Sequence, residues 1–404
     1  MAGLIKRIGE RERKYVEEVL ASDFSRSKSP KMKARFEKAF AAKLGVKHSI
    51  ALSNGTAALH SALYASGVRA GDEVITTPLT MSSPAMAILQ ADAVPVFADV
   101  IEDTLAIDPK RLERLITPRT KAIIAVSLYG LPPELDEIMA IAKKHNIKVI
   151  ENNAQSLLSK YKKRLTGSIG HLSIFSLQSS KHITSGEGGV VCTNSSRLAD
   201  AVRQFGFLGF SLSRAKGQIR KNTIKNPHDR HFMMGYNYRM PDLCAAVALG
   251  QLEHIHELVQ RRIDVANLFI KAIGSCKWLK PQFTPAHAVN SYWALAVRLT
   301  NPDILWTAFR KKFMELGGDG IYSAWRLTYD EPAFHRATRN FSGKERVIKA
   351  TYKGKLQKWE KGLCPIAEKV QQQILAFKTN YWDWSRAQKQ AEILKKTIAY
   401  FDKT

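Results

Sequence analysis

Between about residues 48 and 205, short apolar runs rich in β-branched side chains alternate with longer stretches in which apolar residues recur at helical spacing. HSIALS, EVITTP, VPVFADV, KAIIAVSL, KVIEN, LSIFSL and GGVVCT read as strands. TAALHSALYASG and PELDEIMAIAKKH place apolar residues at i, i+3, i+4 and i+7, with helix stops near their ends. Strands and helices in this alternation predict an α/β domain on a largely parallel sheet, because a crossover helix is what returns the chain to start each parallel neighbour. Residues 242–272 predict a long or bent helix that bridges to a second domain. Beyond it, SYWALAVRL reads as a strand and DILWTAFRKKFMELG and WSRAQKQAEILKKTIAYFD as helices, so the remainder is expected to be α+β. The predicted division is 1–262 and 263–404, with no internal repeat and no low-complexity tract.

Composition agrees with a globular chain of that size: 404 residues, 45% hydrophobic and 24% charged. No run approaches the roughly 18 apolar residues of a spanning helix, and MAGLIKRIGERERKYVEEVL carries charge where a secretion signal needs an apolar core. A cytoplasmic protein without a membrane partner is expected. Cys192, Cys244, Cys276 and Cys364 are too scattered for a zinc spacing or a disulfide framework, so no metal is expected. The charge balance changes the picture more: 62 Lys+Arg against 36 Asp+Glu gives a formal +26. A basic surface concentrates anions, and the local densities lie at residues 160–164 and 214–230. No RNA-binding aromatic motif or helix-turn-helix pattern accompanies the charge, so nucleic acid is not the expected partner.

Three stretches carry candidate chemistry. In SNGTAALHSAL, residues 53–63, a predicted strand gives way to a helix, and free backbone N–H groups at a helix start bind phosphate; a helix N-cap alone explains the same residues. VIENNAQ, residues 149–155, ends a strand in polar side chains at the sheet edge where ligands sit in open α/β folds; a turn explains it equally. FSLQSSKHITSGEGG sets a single lysine, Lys181, between a buried strand and a glycine-rich turn of the kind that lets backbone approach a bound group. Partial desolvation there favours the neutral amine that attacks a carbonyl. Read without that context, Lys181 is one more loop lysine in a basic chain.

Taken together, FEKAF, LGVKHSIALSNGTAAL, GDEVITTPLT, VIENNAQ, FSLQSSKHITSGEGGVVCTN and MGYNYRMPDLCAAVALGQL closely resemble the DegT/DnrJ/EryC1/StrS family of pyridoxal phosphate-dependent sugar aminotransferases. The likeness runs nearly end to end and loosens in the C-terminal third. It implies the fold-type I architecture, a large mixed, mostly parallel sheet domain with a smaller C-terminal α+β domain. It also implies pyridoxal 5'-phosphate as cofactor and a homodimer with shared active sites. Transfer from glutamate to a keto-sugar, nucleotide-linked in many members, would run in two half-reactions. By position Lys181 matches the Schiff-base lysine, which also moves the proton between substrate and cofactor. Gly55 and Thr56 match backbone phosphate contacts, and Ser176 a side-chain phosphate contact. Asn237 in GYNYRM matches the residue that reaches the neighbouring subunit's phosphate, and Gln155 a residue near the cofactor's phenolic oxygen.

Two positions depart from the family pattern at the cofactor ring. Asn152 stands where the family usually has an aspartate paired with the pyridine nitrogen, and Met81 where it has a stacking aromatic. An amide either donates to an unprotonated nitrogen or accepts from a protonated one, and the ion pair is lost in both cases. A thioether still packs against a π face. Relatives that dehydrate sugars carry histidine at the lysine position; Lys181 favours transamination over that alternative, while Asn152 keeps open a non-transaminating binding protein on the same fold. For the sugar pocket the C-terminal stretch DGIYSAWRLTYDEPAF offers Trp325, Arg326, Tyr329 and Glu331, residues that a packed domain interface explains equally well.

Overall fold

The computed structural model describes residues 4–210, 230–337 and 357–402. The basic stretch 214–229 lies outside them. Every strand read in the first half is present: β1 (His48–Leu52), β2 (Glu73–Thr76), β3 (Val94–Phe97), β4 (Thr120–Val126), β5 (Lys148–Asn152), then β8 (Leu172–Ser176) and β9 (Gly189–Thr193), with a short hairpin, β6 (Lys160–Tyr161) and β7 (Arg164–Leu165), between. Seven of these form one sheet in the order β1-β9-β8-β5-β4-β2-β3. From β8 to β3 all neighbours run parallel, and β9 is antiparallel to both of its partners.

Alternate residues of each strand feed different cores, because successive side chains leave opposite faces. In β4, Ala122, Ile124 and Val126 join one apolar cluster, whereas Ile123 and Ala125 join another under the helix Leu135–Lys144. Both faces are dry, which is why the strands read as nearly continuous apolar runs. Two N-terminal helices not read from the sequence, α1 (Glu10–Leu20) and α2 (Met32–Leu44), lie beside the sheet. In α2, Met32, Phe36, Phe40 and Leu44 recur every four residues and are all buried, and Gly45 ends the helix at φ 68°. The helices α3 (Gly55–Ala65) and α4 (Ser83–Gln90) follow β1 and β2.

The predicted bridge is bent. A break at His254 separates the helix Asp242–Glu253 from Ile255–Ile273. Ile255, Leu258 and Val259 pack with α2, while Val265, Phe269 and Ile273 join the apolar core of a second, antiparallel sheet. The division expected at 262/263 therefore falls inside one continuous helix. The second sheet runs β10 (Leu279–Pro281), β12 (Ala294–Leu299), β14 (Ile374–Lys378), β13 (Tyr322–Ser323), and β11 (Ala288–Val289) crosses to pair with β6. Among the described residues no helix is long and apolar enough to cross a membrane.

Candidate active site

A cavity of 740 Å³ opens at the carboxyl ends of the central strands. Its floor follows from strand register. Val126, Asn152, Ile174 and Ser176 sit two residues beyond, or among, the inward positions Ile124, Ile150 and Leu172, so all face the same side as α3. Glu151 points the other way, into the opposite layer, where its carboxylate accepts the N–H groups of Gly167 at 2.7 Å, Ile169 at 2.8 Å and Gly170 at 2.6 Å. It has no access to the cavity's contents.

At one end of the cavity α3 begins. Asn54 is its N-cap, with Oδ1 accepting from the Ala57 N–H at 2.8 Å, and the N–H groups of Gly55 and Thr56 have no partner among the described residues. Ser176 closes the same corner: a Cβ on Gly55 would stand 3.2 Å from the Ser176 Cβ. Two free N–H donors at a helix start and a hydroxyl make a phosphate cradle. Thr56 Oγ1 lies 2.9 Å from Ser83 Oγ, which ties the cradle to α4.

Lys181 lies at the other side of the cavity, its ammonium 4.5 Å from the ring centre of Trp293. Burial, reinforced by the Arg262 guanidinium, pulls its amine down to about 8. Its turn is clamped from behind. The Lys181 carbonyl accepts from Arg7 Nη2 at 2.7 Å and Arg262 Nη2 at 2.9 Å, and the Ser180 carbonyl from Arg262 Nη2 at 2.8 Å and Trp293 Nε1 at 3.0 Å. Arg262 also reaches the Trp293 carbonyl at 2.8 Å and Thr379 Oγ1 at 3.3 Å, so the lysine turn is fastened to the second sheet's flanks.

At the end of the glycine-rich turn, a Cβ on Gly189 would stand 2.2 Å from the Asn54 carbonyl oxygen, so β9 and the start of α3 approach closely there.

Both side-chain amides are fixed by backbone donors. Asn152 Oδ1 accepts from the Ala154 N–H at 3.1 Å, and Gln155 Oε1 from the Tyr129 N–H at 2.8 Å. A backbone N–H only donates, so each contact assigns the oxygen, and each NH2 group is left without a partner among the described residues in a cavity-lining side chain. Met81 forms part of the wall, its sulfur accepting from the Ser83 N–H at 3.0 Å.

Of the residues expected at the site, the fold thus brings together Gly55, Thr56, Met81, Asn152, Gln155, Ser176, Lys181 and Trp325. The others stand elsewhere. Tyr329 is fully buried, with its hydroxyl 2.7 Å from Glu368 Oε1 and its ring against Phe97, so it is part of a packed interface. Neither Glu331 nor the exposed Arg326 lines the cavity. Asn237 is exposed outside it, accepting from Arg239 Nε at 2.9 Å. Sequence reading missed Trp293, Tyr238 and Glu187 at the wall, and the tiling of Trp293 with Tyr129 and Trp325, whose ring centres lie 5.7–6.3 Å apart and whose planes lie within 18° of parallel. The Ser-Tyr-Trp before β12 was the available signal, an aromatic pair where a strand begins.

The helix start with Ser176, the buried amine on a clamped turn and the amide donors fit pyridoxal phosphate, with Asn152 and Met81 as the two departures at the ring. A mixed seven-stranded sheet presenting them beside a smaller antiparallel sheet is the architecture of a fold-type I aminotransferase. An aminotransferase structure from Psychrobacter cryohalolentis superposes with a TM-score of 0.82, covering 98% of each chain at 28% identity. The model of the DegT/DnrJ/EryC1/StrS aminotransferase family matches residues 6–353. The chain belongs to that family of pyridoxal phosphate-dependent enzymes and is an aminotransferase. It is 41% identical to the spore coat polysaccharide biosynthesis protein SpsC of Bacillus subtilis over 267 residues, a match spanning 65% of this chain and 66% of that relative, just under two thirds. It is 36% identical to the GDP-perosamine synthase of Escherichia coli O157:H7 over 287 residues, 71% and 74% of the two chains.

Proposed function

We propose that this chain transfers the amino group of glutamate to a keto-sugar carried on a nucleotide, in two half-reactions that share Lys181. The observation that carries the reading is the depressed amine of Lys181 in one cavity with a helix start whose Gly55 and Thr56 N–H groups have no partner among the described residues. The Gly55 and Thr56 N–H groups and the Ser176 hydroxyl hold the cofactor's phosphate, Met81 packs on its ring, and the Gln155 NH2 donates to its phenolic oxygen. Bound there, the cofactor supplies a conjugated ring that withdraws electrons from the substrate carbon. Lys181, its amine lowered to about 8, would carry the proton between that carbon and the cofactor in each half-reaction. The Trp293 wall excludes water from the amine. Trp325, the most accessible of the tiled rings, offers its face to the CH surface of a sugar.

The reading includes a homodimer. Exposed Asn237 lies in a segment with Phe232, Met234 and Tyr236, and Met234 is 94% exposed, an apolar edge that a second copy of the chain would cover. In that assembly each chain brings its Asn237 to the partner's phosphate cradle.

Incubating the purified protein with pyridoxal phosphate and glutamate is expected to release 2-oxoglutarate and shift the cofactor's absorbance. Lys181→Ala is expected to slow this by more than about 10³-fold. Cofactor that binds but remains unchanged under glutamate would leave a binding protein in place of an enzyme of this specificity.

A further inference from the structure

A second cavity of 440 Å³ lies against the first, sharing Ser180, Trp293 and Trp325 with it. It is walled by the face of the second sheet near β13 and the end of β14, which contribute Tyr322, Ser323 and Lys378, with Asn380 just beyond. Two features set its chemistry. Its lining holds the cations Arg262 and Lys378 and no carboxylate, and among the described residues neither cation has an ion-pair partner. They also play different parts. Arg262 spends both terminal nitrogens on the carbonyls of Ser180, Lys181 and Trp293 and on Thr379, so it contributes a fixed positive field. Lys378 has its ammonium 5.6 Å from the Tyr322 ring centre and no hydrogen-bonded acceptor among the described residues, so it is free to meet a ligand.

Arg262 is buried and Lys378 half-buried, both without a counter-ion among the described residues, an arrangement that favours a ligand's negative charge. A low-dielectric pocket lined by one sign of charge focuses the field on whatever enters. Trp293, on whose ring the Lys181 ammonium packs, lines the second cavity as well as the first. An anion held here would lie beside the cavity that contains Lys181.

We propose that this cavity is an anion subsite for the side-chain carboxylate of the amino donor, with Lys378 as the contacting charge and Asn380 and Ser323 as neutral hydrogen-bond donors beside it. The assignment rests on the function proposed above for its choice of donor. One free ammonium matches one carboxylate, and the aromatic walls suit the methylene stem that joins it to the reacting carbon. The diphosphate of a sugar nucleotide is the other candidate anion, and it carries more charge than this single free lysine offsets.

The test uses the cofactor-loaded protein and glutarate, which carries both carboxylates of glutamate but no amine and cannot transaminate, with butyrate as the single-carboxylate control. Calorimetry is expected to show glutarate binding more tightly than butyrate. Lys378→Met, which keeps the apolar stem, should weaken glutarate about 10- to 100-fold and leave butyrate unchanged, with Lys378→Arg restoring part of the loss. The cofactor's absorbance should be the same in all three proteins, which a merely structural role for Lys378 would not guarantee. Equal glutarate affinity in wild type and Lys378→Met overturns the proposal. So does a defect confined to binding of a nucleoside-diphosphate sugar, which would assign the cavity to the diphosphate. If glutarate binding depends on Lys378 while glutamate yields no 2-oxoglutarate, the subsite stands and the donor reaction falls.

Discussion

Asn152 and Gln155 face the cavity as donors because backbone N–H groups hold their oxygens. For Asn152 this favours one of the two ways an amide can meet a pyridine nitrogen, and we propose that it would donate to an unprotonated ring nitrogen. Glu151, one residue away, cannot supply the missing charge, because its carboxylate is held by the 167–170 turn on the other face. Asn152→Asp is expected to place a carboxylate at the nitrogen and protonate it, each unit of pKa gained being worth about 1.4 kcal/mol. With 15N-labelled cofactor, the ring nitrogen should resonate as pyridine in the wild type and as pyridinium in the variant; the same resonance in both would refute this assignment of Asn152. The residues legible from sequence were those whose neighbours in the chain are also their neighbours in space, such as Ser176 and Lys181. Arg262 and Trp293 reach the lysine turn from far along the chain, and nothing local marks them. Tyr329 failed for the reverse reason: a tyrosine among polar residues looks the same in sequence whether it faces a sugar or, as here, Phe97 and Glu368.

Among the elements, the strands of the large sheet were easy to read because burial on both faces leaves each an uninterrupted apolar run. The two-residue strands β6, β7, β11 and β13 carry no periodicity to detect. The amphipathic α1 and α2 pass unremarked in a chain where charge is everywhere, although the four-residue spacing from Met32 to Leu44 marks a buried helix stripe. The contact between β9 and α3 shows why an element's position can depend on one missing side chain. Gly189→Ala would press a methyl into the Asn54 carbonyl and push the N-terminus of α3 away from the sheet. The expected result is a loss of about 1–3 kcal/mol in urea unfolding and weaker retention of cofactor phosphate. Unfolding and cofactor affinity both at wild-type values would show that the approach is not needed.

For the whole molecule, the formal charge of +26 proves partly paired where it can be seen. Lys162 and Arg164, in one of the two basic densities, both bind Asp136. The proposed dimer makes a prediction at this scale. Met234→Glu sets a charge on the most exposed apolar side chain of the Asn237 segment, and is expected to shift the protein from dimer to monomer in sedimentation and to lower cofactor affinity together. A monomer that keeps its cofactor would separate assembly from the active site. The helix Ile255–Ile273 belongs to both apolar cores, so one continuous element joins them across the expected 262/263 division.

The clamp behind Lys181 also bears on motion. Arg7 holds the lysine turn from 174 residues away in sequence and Arg262 from 81, and Arg262 also bonds Thr379 beside the second sheet. The turn that carries the amine is therefore set by distant side chains rather than by its own neighbours. Loosening of the second sheet would be felt at the lysine, and hydrogen exchange in the turn should follow exchange in β14.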